Sequence, residues 1–187
     1  MSSHHIVREN QEPALLVANF QALSAEDLGQ LLEWSPTVVT NEATIDFLLA
    51  QAIKVDVLFT NSKPVLGQEK IKLVPIEGEF MEDALKYLIL NRYSAVNIMA
   101  SQLYPNLLKY AEGLNMVLFC QDIRYVCVKN VFEKWKPAAE RVFVDADLLK
   151  ASDGLRMLAP GVFETLATGF YKLEFNTPDF VWVGESF

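Results

Sequence analysis

The stretch VVTNEATIDFLLAQAIKVDVLFTNSKP, residues 38–64, reads as strand, polar turn, amphipathic helix, short turn, strand and second polar turn. VDVLF is apolar enough for a strand covered on both faces, while Ile45, Leu48, Leu49 and Ala52 form one stripe at helical spacing. A strand–helix–strand unit pairs its strands in parallel, with a right-handed crossover that lays the helix on the sheet. Chemistry in such sheets is built beyond the carboxyl ends of the strands. Here those turns are Thr40-Asn41 and Thr60-Asn61-Ser62-Lys63. They offer hydrogen-bonding groups and one cation, where metal-assisted phosphate transfer calls for carboxylates.

The same alternation continues on both sides. Upstream, ALLVA (14–18) is a continuous apolar run, and Ser24 caps a helix over SAEDLGQLLEW that Pro36 ends. Asn41 reads as the N-cap of the helix that follows the second strand. Downstream, residues 71–74 form a fourth strand and 80–91 a helix. Residues 95–100 form another strand, and 103–112 a helix closed by Gly113. Beyond residue 114 the pattern changes to strand-like runs such as RYVCVKNV, ERVFVDA, FYKLEF and FVWVGE. The expected fold is therefore an N-terminal three-layer α/β/α domain with a mostly parallel sheet, residues 1–114, followed by a C-terminal β-sandwich-like domain, residues 115–187.

Composition narrows the function classes. The chain has 187 residues, 51% hydrophobic and 21% charged, as in a globular protein. A formal net charge of −8 without basic runs argues against nucleic acid or an anionic membrane as partner. No apolar run is long enough to span a bilayer, and MSSHHIVRENQEP lacks a secretory pattern, so a cytoplasmic location is expected. Cys120 and Cys127 fit no metal or redox spacing and read as buried thiols. His4 and His5 are the two histidines, in a terminus expected to fray, which argues against Ser-His-Asp and Cys-His catalysis.

No glycine-rich phosphate loop follows the first strand, which ends Ala18-Asn19-Phe20. Four features could carry chemistry, and each has a plainer structural reading. The turns at Asn41 and at residues 60–63 can bind phosphate through Lys63, or can be ordinary turn chemistry. Glu77, Glu79, Glu82 and Asp83 can approach a Mg²⁺ ion, or complement a helix dipole. Asp145 and Asp147, two apart in VFVDADLL, share one face if that run is a strand, and can serve a metal or simply be solvated. Aromatic residues of the second half, among them Phe132, Trp135, Phe170, Tyr171 and Trp182, suit core packing, a subunit interface or a flat heteroaromatic ligand.

ALLVANF, the 38–64 unit and EDALKYLILNRYSAVNIMA, followed by a β-rich tail, resemble thiamine pyrophosphokinase (thiamine diphosphokinase) in order and spacing. The resemblance implies an α/β catalytic domain, a β-sandwich that helps to bind thiamine, a homodimer, and Mg²⁺ and ATP if the family activity is retained. Its motifs are altered here. The family's A-N-G becomes Ala18-Asn19-Phe20, and its acidic D-G turn falls at Asn41-Glu42. Its G-D-x-D-S falls at Thr60-Asn61-Ser62-Lys63-Pro64, without either aspartate. Its D-x-x-K-A-L falls at Phe80 to Leu85, and its R-x-D-H has no counterpart. The expectation is a thiamine pyrophosphokinase-like protein, inactive or altered as a kinase. It would bind a nucleotide or thiamine-like ligand through Asn19, Asn41, Thr60, Asn61, Ser62, Lys63 and Asp83, with Lys63 replacing Mg²⁺ against phosphate. Two rivals are an interaction homodimer with no small-molecule site, and an active kinase using Glu42, Glu79 or Asp83.

Overall fold

The computed structural model describes residues 12–65 and 67–186, so His4 and His5 lie outside the described residues. The first part runs β1 (Ala14–Val17), α1 (Ala25–Leu32), β2 (Val38–Asn41), α2 (Ile45–Ala50), β3 (Val57–Phe59), β4 (Lys72–Val74), α3 (Phe80–Leu90), β5 (Ala95–Met99) and β6 (Asn115–Cys120). These six strands are parallel in the order β4-β3-β2-β1-β5-β6. Alternate side chains face opposite layers, as the pleat requires. Leu15, Val17, Val38 and Leu58 pack with Leu28 of α1 and Leu48 of α2. Leu16, Val39, Phe59 and Ile98 pack with Ala84, Leu85 and Leu88 of α3 on the other face.

Two local expectations change. Asn41 stays in β2 and does not cap α2; its Oδ1 accepts from Ala43 N (3.1 Å) and the Thr44 hydroxyl (3.2 Å). That local bond closes a turn before the helix begins at Ile45. The helix expected over 103–112 is a 3₁₀ stretch, Pro105–Tyr110. Only Leu107 of that stretch is buried, too little apolar contact to hold a longer helix.

The remaining strands are β7 (Ile123–Val128), β8 (Val131–Lys136), β9 (Arg141–Phe143), β10 (Leu149–Asp153), β11 (Leu155–Ala159), β12 (Val162–Thr165), β13 (Gly169–Phe175) and β14 (Val181–Ser186). Beyond β6 the long sheet continues antiparallel as β7-β14-β9-β12-β11, giving eleven strands, and β10-β13-β8 form a second sheet. Val142, Phe163, Tyr171, Leu173, Phe175 and Val183 fill the space between them as a sandwich core. The chain crosses from the second sheet to the long one at Gly154, whose φ of +72° makes the corner. β6 is bonded to β5 on one edge and to β7 on the other. A division after residue 114 thus falls just before a strand that belongs to the parallel sheet. Among the described residues no helix is long and apolar enough to cross a membrane.

Candidate functional site

β1 lies between β2 and β5, so the connections diverge there, and this switch point is where an α/β sheet opens a crevice. In this chain the turn after β1 folds over it. Ala18 N and Asn19 N both donate to Met99 O at 2.9 Å, and Asn19 Oδ1 accepts from Gln21 N at 3.1 Å. Phe20 then stacks on Phe47 of α2, centroids 3.4 Å apart and planes within 15°. The residue that stands where the related motif has glycine thus places a ring against the helix.

The turns after β2 and β3 meet each other. Thr40, fully buried, donates to Val17 O at 2.9 Å and keeps its hydroxyl in the sheet. Glu42 reaches across to the next turn, where its Oε1 accepts from the Thr60 hydroxyl and from Ser62 Oγ (2.9 Å). Those two bonds, Thr60 first and Ser62 second, hold the Glu42 carboxyl below its ordinary range. Ser62 N also donates to Thr60 Oγ1 at 2.9 Å. Asn61 points the other way: its Nδ2 donates to Ile76 O (3.0 Å) and its Oδ1 accepts from Ile76 N (2.9 Å). The amide thereby extends the β3–β4 pairing by one step. Lys63 is exposed and makes no hydrogen bond or ion pair with the described residues.

The acidic set at α3 is divided between two tasks. Asp83 accepts from Glu77 N (2.9 Å) and Gly78 N (2.7 Å), and Lys86 Nζ lies at 3.2 Å. Burial pushes this carboxyl up, but the Gly78 and Glu77 amides and the Lys86 ammonium outweigh it and leave the group low. Glu82 bonds Lys109 (2.8 Å), Tyr110 Oη (3.0 Å) and Asn106 (3.0 Å), tying α3 to the 3₁₀ stretch. Asp145 and Asp147 do not share a strand face, because β9 ends at Phe143. Asp145 instead caps a single 3₁₀ turn, accepting from Asp147 N at 3.0 Å. Burial pushes the Cys127 thiol up to about 12 and raises that of Cys120, so neither is a thiolate at neutral pH.

Of the seven residues expected at a ligand site, Thr60, Ser62 and Lys63 share one turn, and Asn41 borders it. Asn19, Asn61 and Asp83 are taken up by backbone groups. Glu42, weighed only as a relocated carboxylate, turns out to be the centre of the cluster. Its position directly after a strand end was the available signal. A divalent ion of the Mg²⁺ type needs several free hard oxygens in octahedral array. The turns offer one carboxylate, already accepting two hydroxyl protons, and both atoms of the Asn61 amide are engaged. Among the described residues no group of three or more Asp, Glu, His or Cys could hold a metal. The donor set does not fit the ion.

No protein-family model matches the chain, and no curated protein matches it by sequence. Solved structures do match. Yeast thiamin pyrophosphokinase aligns at a TM-score of 0.72 over 98% of this chain and 88% of the other, with 7% identity. Thiamine pyrophosphokinase from Bacillus subtilis aligns at 0.65 over 93% and 98%, with 11% identity. Thiamin pyrophosphokinase from Candida albicans aligns at 0.65 over 94% and 90%, with 10% identity. The chain has the thiamine pyrophosphokinase fold, with both its mixed α/β part and its antiparallel part.

Proposed function

We propose that this chain is a binding protein on the thiamine pyrophosphokinase fold. It takes a phosphate-bearing ligand, a nucleotide or a thiamine-like diphosphate, beside the turn at residues 60–63, and does not carry out ATP-dependent transfer. The supporting observation is the closure of the turn cluster on itself: Thr60 and Ser62 both donate to Glu42, and Asn61 is spent on Ile76. Lys63 is left as the charged group free to meet an anion. Transfer from ATP relies on metal ions to bridge and neutralise the phosphate oxygens, and that donor set is missing from the turns.

Calorimetry with ATP and with thiamine diphosphate, each with and without Mg²⁺, tests the reading. Binding should be independent of Mg²⁺, and Lys63→Ala should weaken it about tenfold, the equivalent of ~1.4 kcal/mol for a charge-assisted contact. Mg²⁺-dependent binding, or binding that survives Lys63→Ala unchanged, overturns it. AMP release that requires both thiamine and Mg²⁺ restores the kinase reading, and no binding at all favours an interaction protein. The proposal includes a homodimer. Trp135 and Phe170, cross-strand partners that are 52% and 68% exposed, support it as an exposed aromatic pair on the second sheet. Light scattering that gives a monomer mass would remove that part.

A further inference from the structure

Asn97 sits in β5, a strand bonded on both edges, where amide side chains are disfavoured. Register shows what it faces. Val17, Met99, Phe119 and Arg124 form one row across a face of the long sheet, and Asn97 lies in the next row on that face, beside Leu15. The rows begin under α1, which packs on Leu15 and Val17, and Val126, two residues after Arg124, packs with the sandwich core. β5 and β6 therefore lie between two covering layers, and a cleft of about 510 Å³ opens over them. A volume of that size suits a small organic ligand. Asn97, Phe119 and Arg124 form its floor, and Asp27, Leu31 and Trp34 its wall on the α1 side. It shares no lining residue with the turns after β2 and β3.

The cleft holds opposite charges that do not pair with each other. Arg124 and Asn97 are half-buried, and neither side chain has a hydrogen-bond or ion-pair partner among the described residues. Glu185 stands across from Arg124 on β14, but its two oxygens are engaged by Tyr171 and Lys134. A half-buried guanidinium and amide left open in this way suit a carboxylate, which the guanidinium fork can hold through two parallel bonds. The α1 side is acidic instead. Asp27 and Glu12 line it, and neither is ion-paired among the described residues. Asp27 takes the Ser24 hydroxyl on Oδ2 and leaves Oδ1 open. Trp34, 69% exposed just past the end of α1, adds a flat apolar surface. The carboxylates repel a simple anion and Arg124 repels a simple cation, whereas a ligand bearing both charges meets each at its own end. We propose that this cleft binds a zwitterionic α-amino acid with an aromatic side chain. Its carboxylate is held by Arg124 and Asn97, its ammonium by Asp27, and its ring lies against Trp34.

Calorimetry on the full chain tests this with L-phenylalanine as the probe. Its counterparts are 3-phenylpropionate, which lacks the ammonium, and phenethylamine, which lacks the carboxylate. L-Phenylalanine should bind saturably, and each counterpart at least about tenfold more weakly. Arg124→Gln should weaken the amino acid by about tenfold, and so should Asp27→Asn, whose amide oxygen still accepts from Ser24. Trp34→Ala removes an exposed ring outside the core and should weaken binding about fivefold, which keeps the test decisive if Arg124→Gln does not fold. The proposal is overturned by the absence of saturable binding, by either counterpart binding as tightly as the amino acid, or by unchanged affinity in Arg124→Gln or Trp34→Ala. Lys63→Ala leaves this binding intact, which separates it from the phosphate reading above.

Discussion

Replacing Glu185 by alanine should be among the more damaging single changes outside the apolar core. Glu185 on β14 is 5% exposed and sits between the two sheets. Its Oε1 accepts from Tyr171 Oη at 2.9 Å, its Oε2 is paired with Lys134, and Lys136 Nζ is 3.8 Å away. Burial first, and the Glu185 charge second, push the Tyr171 phenol well above its usual range, so it remains a donor at every pH of interest. Truncation leaves one hydroxyl and two ammonium groups without this acceptor. Breaking a buried pair by removing one partner costs ~3–5 kcal/mol. The Lys134 side chain is 38% exposed and can turn to water, and Lys136 keeps Glu140 at 3.9 Å, so the low end, about 3 kcal/mol, applies. Tyr171→Phe removes one hydrogen bond to a charged acceptor, about 1.5 kcal/mol, and Glu185→Gln falls between the two. Urea unfolding should show a lower midpoint at unchanged slope, and heating a melting temperature lower by roughly 6–12 °C. A loss under about 1 kcal/mol, or Tyr171→Phe costing as much as Glu185→Ala, refutes the idea of a buried ionic clamp.

Gly154→Ala should cost ~1–2 kcal/mol from the left-handed backbone alone, and more because its Cβ would lie 3.2 Å from Phe170 O and 3.3 Å from Tyr171 Cα. Gly161→Ala, at φ +75° with a 3.4 Å contact, is the less crowded control, and equal losses in the two variants would dismiss the crowding. Glu82 is held low chiefly by Lys109, then by Tyr110 and Asn106. Its folded value is therefore below the unfolded 4.5, so its stabilisation is full above that pH and fades as pH falls through the folded value. The gap in unfolding midpoint between wild type and Glu82→Gln should narrow on acidification, and a constant gap from neutral to acid would contradict the assignment.

The parallel half was legible because its signals are strong and local. ALLV and VLF are continuous apolar runs that become strands buried on both faces, and Ser24 caps α1 as its sequence says, with Asp27 N donating to Ser24 Oγ at 3.1 Å. The strands LKASD and LRMLA were hidden for the opposite reason. Nearly every residue in them is exposed, so no alternation marks them, and pairing alone holds them in place. The turn residues were legible as a group but not in their partners. Asn61 bonds Ile76 and Thr60 bonds Glu42, contacts between residues 15 and 18 positions apart that depend on sheet register. Tyr125, Phe143 and Gly184 likewise become neighbours only when β7, β14 and β9 pair.

β6 leaves the two halves of the molecule with a strand in common and no linker between them. A linker can pivot, whereas a strand bonded along both edges transmits torque across the whole sheet. Rigid-body closure of one half over the other, the way many two-part proteins trap their ligands, is therefore denied to this chain. Its clefts are set to their working dimensions when the sheet assembles. Selectivity then leans on walls whose spacing the shared sheet holds.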